Sequence, residues 1–395
     1  MEPRQTKARV LELVRSEGFA TARVAAAQPL LRAFERARHE LREGHLEGLG
    51  WITEEWLARS TDPQRFLEGA RSVIVVALPA HAPPPAPPPG AAVVTRGRVA
   101  RYAWGRDYHR TFETRLRRLA RRLREEFGAQ VRATVDYGPL LERAFALAAG
   151  LGWIGKSTML LVPAFGPWML LGALATTLEL PPDERLRKSC GACRRCIAAC
   201  PTGALSGDGG SLDARLCISY HTIENRGPIP RSLRPRFGGW IFGCDLCLES
   251  CPVGAQRYDA DPDFLAPSYD HAFPPLAELL SLDEAAFRDR FRGRPLMRAK
   301  RDGLLRNACV ALGNVGRPED LEALERALTD RSPLVRGHAA WAAARLAARY
   351  AAQRPELGPR VRTLLAARLR DEEDPYVREE LAEALADLAE PAAVT

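Results

Sequence analysis

The sequence has no apolar run of the roughly 18 residues that a membrane-spanning helix requires. The nearest candidate, between Trp168 and Leu180, is interrupted by glycine and threonine. The amino terminus also lacks the charged and apolar regions of a signal peptide. We therefore expect a protein that lies in the cytoplasm and does not contact a membrane. Thiols stay reduced in that compartment, so disulfide bonds are not expected.

Acidic residues are outnumbered by basic ones, with 49 Asp plus Glu against 57 Lys plus Arg, so the net charge is +8 and the pI is about 9.2. This balance favours a polyanionic partner such as nucleic acid, although many basic proteins bind none. A chain of 395 residues is too long for one ordinary core, and two or three domains are expected.

Cysteine is concentrated in one stretch, which contains eight of the nine cysteines. Its first half has the C-x2-C-x2-C-x3-C-P spacing of bacterial ferredoxins, in which the fourth cysteine ligates a neighbouring cluster. The second half has a shorter run and one isolated cysteine. We assign one 4Fe-4S cluster to Cys190, Cys193, Cys196 and Cys251, and the other to Cys200, Cys217, Cys244 and Cys247.

Zinc is the alternative, because C-x2-C pairs are common in zinc sites. Zinc sites seldom place three cysteines at successive two-residue gaps, and they do not need the Cys-Pro endings seen here at Pro201 and Pro252. Two iron-sulfur clusters are therefore favoured. Cys309 lies outside both runs in an apolar helix pattern and is interpreted as a small core residue.

Asp136 is a candidate proton donor. Val131–Asp136 has the pattern of a strand, and Pro139 stands where a helix would begin. The carboxyl ends of strands in an open α/β sheet are where ligands usually bind. A carboxyl group there could donate a proton if an apolar environment raised its pKa. The alternative is that Asp136 caps the following helix.

The last third of the chain is repetitive. Ser332–Arg336 recurs 42 residues later as Asp374–Arg378, each followed by alanine and leucine at helical spacing. A period of about 40 residues with paired helices indicates a HEAT-like α-solenoid, which needs no partner copy for stability. We therefore expect a monomer. For HEAT repeats in general the usual ligand is protein.

Basic residues are dense at the entry to these repeats. We predict that Arg298, Lys300 and Arg301 contact the phosphates of a nucleic acid there.

Several blocks of sequence resemble epoxyqueuosine reductases, the cobalamin-dependent iron-sulfur enzymes of the last step of tRNA queuosine synthesis. They are residues 100–109 (ARYAWGRDYH), Asp136 with 139–143 (PLLER), 150–156 (GLGWIGK) and the cysteine stretch. The resemblance implies a multidomain α/β + α protein: a cobalamin-binding α/β domain similar to that of reductive dehalogenases over residues 1–180, a dicluster ferredoxin domain over 181–265, and a HEAT-like domain that contacts tRNA over 275–395.

The resemblance also implies the chemistry. Epoxyqueuosine at the wobble position of the tRNA anticodon would be reduced by cobalamin, which two 4Fe-4S clusters and an external low-potential electron donor would supply with electrons. Asp136 would be the general acid, which replaces the helix-cap interpretation. Expected cobalamin contacts, besides Asp136 itself, are Arg59, Tyr102, Lys156, Ser219 and Asp245. Cluster-loop packing explains Ser219 and Asp245 equally well, and Lys156 could be an ordinary surface lysine.

One cobalt ligand is not expected. Asp107-Tyr108-His109 begins like the D-x-H-x-x-G element that supplies a histidine to cobalt, but Phe112 stands in place of its glycine. His109 is therefore predicted not to bind cobalt. Two other functions stay open at this point: a cobalamin-dependent reductase of a small molecule, and an electron-transfer module whose solenoid docks a partner protein.

Overall fold

The computed structural model describes residues 2–254 and 258–389. The chain forms two compact units that alternate along the sequence. Unit 1 contains Met1–Pro83, Gly105–Arg215 and Asp245–Leu265, and unit 2 contains Pro84–Trp104, Leu216–Cys244 and Ala266–Thr395. The predicted ferredoxin segment, residues 181–265, therefore contributes to both units.

The described residues form eight strands: β1 Thr21–Ala26, β2 Ser72–Pro79, β3 Arg98–Val99, β4 Val131–Thr134, β5 Trp153–Ile154, β6 Leu160–Leu161, β7 Met169–Thr176 and β8 Trp240–Phe242. Their α-helices are α1 Pro3–Ser16, α2 Leu31–Arg42, α3 Glu54–Ser60, α4 Pro63–Phe66, α5 Tyr108–Phe127, α6 Glu142–Ala148, α7 Arg195–Ala199, α8 Ile218–Ile223, α9 Leu246–Glu249, α10 Tyr269–Ala272, α11 Leu276–Leu280, α12 Glu284–Phe291, α13 Lys300–Val315, α14 Leu321–Ala327, α15 Pro333–Arg349, α16 Leu357–Asp371 and α17 Pro375–Asp387.

Unit 1 is built on a four-stranded sheet with the order β1-β2-β7-β4. Every neighbouring pair in this sheet is antiparallel. The sequence argument placed Asp136 at the edge of an open α/β sheet by analogy with parallel folds, and that part of the argument was wrong. Asp136 nevertheless lies two residues beyond the end of β4, an edge strand of the sheet.

The sheet is buried on both faces, which explains the continuous apolar sequence of β2. All eight residues of β2 are buried. One face carries Val73 and Val75 and packs in a core cluster with Phe145 of α6. On the other face Gly172 of β7 approaches α5 so closely that an added Cβ would lie 2.7 Å from the ring of Phe112. The sheet therefore lies between α6 and α5.

Unit 2 contains the predicted repeats. Pro333 and Pro375 begin α15 and α17, as the 42-residue displacement predicts. Helix α13 packs against α15, and α15 packs against α17. The pattern of repeated helix pairs is confirmed. No helix within residues 2–254 and 258–389 is both long and apolar enough to span a bilayer.

A buried ion pair joins the middle of the chain to the last repeat within unit 2. The guanidinium of Arg234 is 1% exposed and donates to both carboxylate oxygens of Glu380 in α17. Arg306 of α13 is equally buried and donates to the backbone oxygens of His221, Asn225 and Gly227. Residues 216–244 are thus held against the repeats by charge-assisted hydrogen bonds.

Candidate active site

The backbone of Asp136 is in the left-handed region, with φ of 55°. Its N–H donates a 2.7 Å hydrogen bond to Oε1 of Glu142. Helix α6 begins at Glu142, and its N-cap is Leu141, which makes no side-chain cap. The helix-cap interpretation of Asp136, and the predicted helix start at Pro139, were therefore wrong. The turn instead directs the Asp136 side chain away from α6 and toward α5.

The first residues of α5 hold the Asp136 carboxylate. Oδ2 of Asp136 accepts a 2.5 Å hydrogen bond from the hydroxyl of Tyr108. Nε2 of His109 lies 3.1 Å from the same oxygen. The Asp136 side chain is 46% exposed, so it can contact both these groups and a bound substrate. A half-exposed carboxyl group with fixed hydrogen-bond partners meets the geometric requirement for a proton donor.

His109 bridges two carboxylates. Its Nδ1 lies 2.8 Å from Oδ1 of Asp107, and its Nε2 faces Asp136. A neutral imidazole has only one N–H, whereas imidazolium can donate to both acceptors. Burial acts to lower the pKa of His109, but the hydrogen bonds and charges of Asp107 and Asp136 outweigh it and raise this pKa to about 9. The imidazole is therefore held by a carboxylate on each side, and the expectation that His109 does not bind cobalt stays a prediction.

Tyr137 covers the other side of this group. Its ring lies 5.3 Å from that of His109, with an angle of 27° between the planes. Its hydroxyl donates to Oε1 of Glu113, and this hydrogen bond is the main cause that raises the pKa of Tyr137 to about 12. Gly138 completes the turn, because an added Cβ would lie 1.4 Å from Oγ1 of Thr134. The segment that carries Asp136 is therefore anchored on both sides.

Glu142 carries a perturbed carboxyl group next to Asp136. Burial raises its pKa to about 7, and the negative charge of Asp136 adds to this effect. Tyr108, His109 and Glu142 are the members of the site that sequence reasoning missed. The Asp107-Tyr108-His109 motif was considered only as a cobalt-binding element. Its helix-start position beside a strand end was the signal that could have linked it to Asp136.

Four predicted cluster ligands gather in unit 1. Burial raises the thiol pKa of Cys251, and the negative charges of the three other thiolates raise it further. The same combination, burial first and then its neighbours' charges, raises the pKa of Cys196. These thiols come from the two segments that carry α7 and α9, which pack together. The group consists of Cys190, Cys193, Cys196 and Cys251, and its donors fit a thiolate-bound cluster.

The remaining four cysteines are divided between the units. Cys200 and Cys247 belong to unit 1, and Cys217 and Cys244 belong to unit 2. Burial acts to raise the pKa of Cys200, but hydrogen bonds from the Thr202 hydroxyl and from nearby backbone N–H groups outweigh it and lower this pKa. A thiol that is stabilised as thiolate suits a metal ligand. The assignment of these four cysteines to one cluster stays a prediction.

The expected cobalamin contacts in unit 1 differ in their exposure and in their hydrogen-bond partners. Arg59 is an exposed residue of α3. Lys156 donates from Nζ to the backbone oxygen of Gly191 at 3.0 Å, so it supports the cysteine loop of the first group. Asp245, at the start of α9, is buried. The structure therefore shows a partner for Lys156 that the sequence argument did not consider.

The expected cobalamin contacts in unit 2 are both partly buried. Tyr102 lies in the short 3-10 helix Arg101–Ala103, and its ring centroid is 6.3 Å from that of Phe242 in β8. Ser219 is in the first turn of α8, two residues after Cys217. Both stay predicted contacts.

The three predicted tRNA contacts have different exposures. Lys300 is exposed, and Arg298 is partly buried, 3.9 Å from Glu224. Arg301 is buried, and its guanidinium pairs with Asp330 and Asp302. It cannot reach a phosphate without breaking these pairs. The prediction that Arg301 contacts tRNA was therefore wrong for this structure, because its side chain is buried among the repeats. Arg298 and Lys300 stay predicted contacts.

Family comparisons cover three parts of the chain. Residues 60–137 match the model described as epoxyqueuosine reductase QueG, DUF1730. Residues 189–254 match a 4Fe-4S double cluster binding domain, which favours iron over the zinc alternative. Residues 295–394 match HEAT repeats. The three matches follow the predicted order of an N-terminal domain, a dicluster domain and a helical repeat domain.

Two relatives of the chain are named epoxyqueuosine reductase. That of Xanthomonas campestris pv. campestris is 40% identical over 352 residues, which cover 87% of this chain and 97% of the relative. That of Gloeobacter violaceus is 40% identical over 319 residues, covering 79% of this chain and 97% of the relative.

Solved structures of the same kind are similar over nearly the whole chain. One is a crystal structure of epoxyqueuosine reductase with an epoxyqueuosine-modified tRNA-Tyr stem loop. It has a TM-score of 0.87 and 27% identity, and covers 98% of this chain and 99% of its own. Another, from Streptococcus thermophilus, has a TM-score of 0.84, 27% identity and coverage of 97% and 99%.

Proposed function

Because the chain belongs to the epoxyqueuosine reductase family, we propose that it reduces the epoxide of epoxyqueuosine at the wobble position of tRNA to give queuosine. This is an oxidoreductase reaction and the last step of queuosine biosynthesis. The relatives' shared name and the near-complete coverage support the activity. A crystal structure of a similar protein with a modified stem loop supports tRNA as the substrate.

The observation that carries the proposal is the Asp136 carboxyl group, half-exposed and held by Tyr108 and His109. An epoxide oxygen leaves as water only when it is protonated. Asp136 would place its proton on the departing oxygen, in the role of a general acid. The left-handed turn at Asp136 would orient the carboxyl group toward the substrate while Glu142 holds its backbone.

The residues present fit the cofactors of this chemistry. When bound, cobalamin supplies the two electrons for the epoxide, and two 4Fe-4S clusters pass electrons to it singly. The gathered thiols of unit 1 would hold one cluster, and Cys200, Cys217, Cys244 and Cys247 would hold the other. The residues proposed to contact cobalamin are Arg59, Tyr102, Asp136, Lys156, Ser219 and Asp245.

The tRNA would be held by phosphate contacts and read at an unstacked base. Lys300 and Arg298 at the start of the repeats would contribute to the phosphate contacts. We further propose that the enzyme works as a monomer in the cytoplasm and that an external low-potential electron donor reduces its clusters. The HEAT repeats support the first point, because their helices bury their apolar faces on each other.

The test uses the reconstituted protein, a chemical reductant and an RNA stem loop that contains epoxyqueuosine. Mass analysis of the digested RNA should show queuosine at the expense of the epoxide. In cells that lack the protein, tRNA should accumulate epoxyqueuosine. If cellular tRNA kept its queuosine and the loaded protein left the stem loop unchanged, the proposed function would be wrong. Turnover of small epoxides without RNA would indicate a small-molecule reductase instead.

A further inference from the structure

The proposed reaction consumes two protons, and this inference rests on that reaction. An epoxide that becomes an alkene takes up two electrons and two protons, and its oxygen leaves as one molecule of water. The electrons come from the cofactors. Asp136 carries one proton at most, so a single ionisation of this side chain leaves the balance one proton short. A second donor is therefore needed in each turnover, and the titratable N–H group that already contacts Oδ2 of Asp136 is that of His109.

We propose that His109 supplies the second proton, passing it from Nε2 to Oδ2 of Asp136. Asp136 is then the only side chain that touches the substrate oxygen, and it delivers both protons in turn. His109 is a positioning residue for proton supply, because it acts through Asp136. Asp107, on the far side of the ring, holds His109 in the protonated form.

The geometry supports this order of groups. Asp107 Oδ1, the two ring nitrogens of His109 and Asp136 Oδ2 form one hydrogen-bonded row, with distances of 2.8 Å and 3.1 Å at its two links. Asp107 is itself fixed as the N-cap of α5, since its side chain accepts from the backbone N–H of His109 at 3.1 Å. A proton that leaves Nε2 therefore has Asp136 as its immediate acceptor.

The other groups around His109 make different contacts. Tyr108 donates its hydroxyl to Asp136 and so orients Oδ2. Tyr137 lies against the imidazole ring and directs its own hydroxyl to Glu113. Glu142 accepts its hydrogen bond from the backbone N–H of Asp136. Once Asp136 has given up its first proton, the charges and hydrogen bonds of Asp107 and Asp136 outweigh burial and hold the pKa of His109 at about 9, so the imidazole is charged at neutral pH.

Each proton transfer can be written with its atoms balanced. In the first, the O–H bond of Asp136 breaks and an O–H bond forms on the epoxide oxygen as its C–O bond opens. In the second, the N–H bond of His109 breaks and its proton passes through Oδ2 of Asp136 to the hydroxyl oxygen, whose remaining C–O bond breaks as the alkene forms and water leaves. His109 is left as neutral imidazole and Asp136 as carboxylate. Solvent then restores both, because Asp136 is half-exposed.

The first variant is His109→Gln, whose side-chain amide can still donate to Asp136 but holds no transferable proton. Turnover of the stem loop should fall about 10²- to 10⁴-fold in kcat, the usual contribution of a proton-transfer group. KM, iron content and bound cobalamin should stay at wild-type values. The wild-type kcat should decline as pH rises through about 9, the pKa of His109, and this decline should be absent from the variant.

The second variant is Asp107→Asn, which removes one charge and keeps a good helix cap. Without that charge the pKa of His109 should fall, so the alkaline decline in kcat should move to lower pH. NMR titration of the His109 side chain in the oxidised holoenzyme should show the same shift without any measurement of turnover. Tyr108→Phe should lower the rate without moving this decline.

The outcomes separate the inference from the proposed function. If wild-type protein reduces the stem loop and His109→Gln does so at the same rate with the same pH profile, His109 is not the second source. If His109→Gln fails to retain its cofactors, the test depends on the pH profile of kcat in Asp107→Asn. The inference is contradicted if kcat of that variant declines at the same pH as in the wild type. If the wild-type protein itself does not reduce the stem loop, the proposed function has failed instead.

Discussion

The backbone N–H of Asp136 donates to Oε1 of Glu142 at 2.7 Å, so one carboxyl group holds the turn that presents the other. The two carboxyl groups also interact electrostatically, since the charge of Asp136 adds to the effect of burial on Glu142. The turn is therefore coupled to the ionisation of Glu142. The pH dependence of the protein's stability should therefore show this coupling.

Glu142→Gln should change the pH dependence of stability. The pKa of Glu142 is about 7 in the folded protein and about 4.5 in a free side chain. The folded state thus binds this proton more tightly, and the associated stability is present below pH 4.5 and is lost as pH rises through 7. The amide does not titrate, so the midpoint of thermal unfolding at pH 8 should rise by about 2–6 °C. At pH 5 the variant and the wild type should differ little. Equal midpoints at both pH values would contradict the burial of a titrating Glu142.

Asp136→Asn should abolish turnover without disturbing the fold. The amide is nearly isosteric and can still contact Tyr108, but it is a far weaker acid. We expect a loss of at least about 10²-fold in kcat, with iron, cobalamin and tRNA affinity retained. Single-turnover reduction of the modified stem loop, followed by mass analysis, is the measurement. A wild-type rate would remove Asp136 from the mechanism.

The double variant Arg298→Gln/Lys300→Gln should weaken tRNA binding. Each lost phosphate contact should reduce the slope of log K against log salt by about 0.7 to 0.9, so the two together should reduce it by about 1.5. Filter binding or fluorescence anisotropy over a salt series measures both affinity and slope. Unchanged values would exclude these two residues as tRNA contacts.

Arg301→Gln is the matched comparison, and it should lower stability rather than tRNA affinity. Its guanidinium is buried against Asp330, so the substitution removes the ion-pair partner of a carboxylate that is only 8% exposed and keeps the backbone N–H of Ser332 as a hydrogen-bond donor. Breaking such a pair costs about 3–5 kcal/mol of stability. We therefore expect a lower midpoint of chemical unfolding with tRNA affinity nearly unchanged in the folded protein. Loss of affinity at full stability would return Arg301 to the binding surface.

Cys251→Ala should remove one cluster, and Cys309→Ala should remove none. Cys251 lies among three other thiols, whereas Cys309 is fully buried in α13, where burial raises the pKa of its thiol strongly. Iron analysis should fall from about eight to about four atoms per chain in the first variant and stay at about eight in the second. Equal iron content in the two variants would contradict the cluster assignment.

Regular features could be predicted from the sequence because they depend on local patterns. Leu116, Leu119 and Leu123 recur at helical spacing, and all three lie on the buried face of α5. The strand β2 and the repeated helix starts at Pro333 and Pro375 follow from apolar runs and proline positions in the same way. The direction of neighbouring strands was not predictable, because it depends on connections that span tens of residues.

The sequence by itself determined the spacing of the cysteine runs, the order of the three family-matched regions and the choice of Asp136 as a candidate acid, because each depends on short spacings or contiguous motifs. Only the tertiary structure decided what surrounds them. It placed His109 and Tyr108 against Asp136, although 27 and 28 residues separate them, and it buried Arg301 beside Asp330, which lies 29 residues away. Charge state and exposure at these positions depend on packing between distant segments, which no local pattern records.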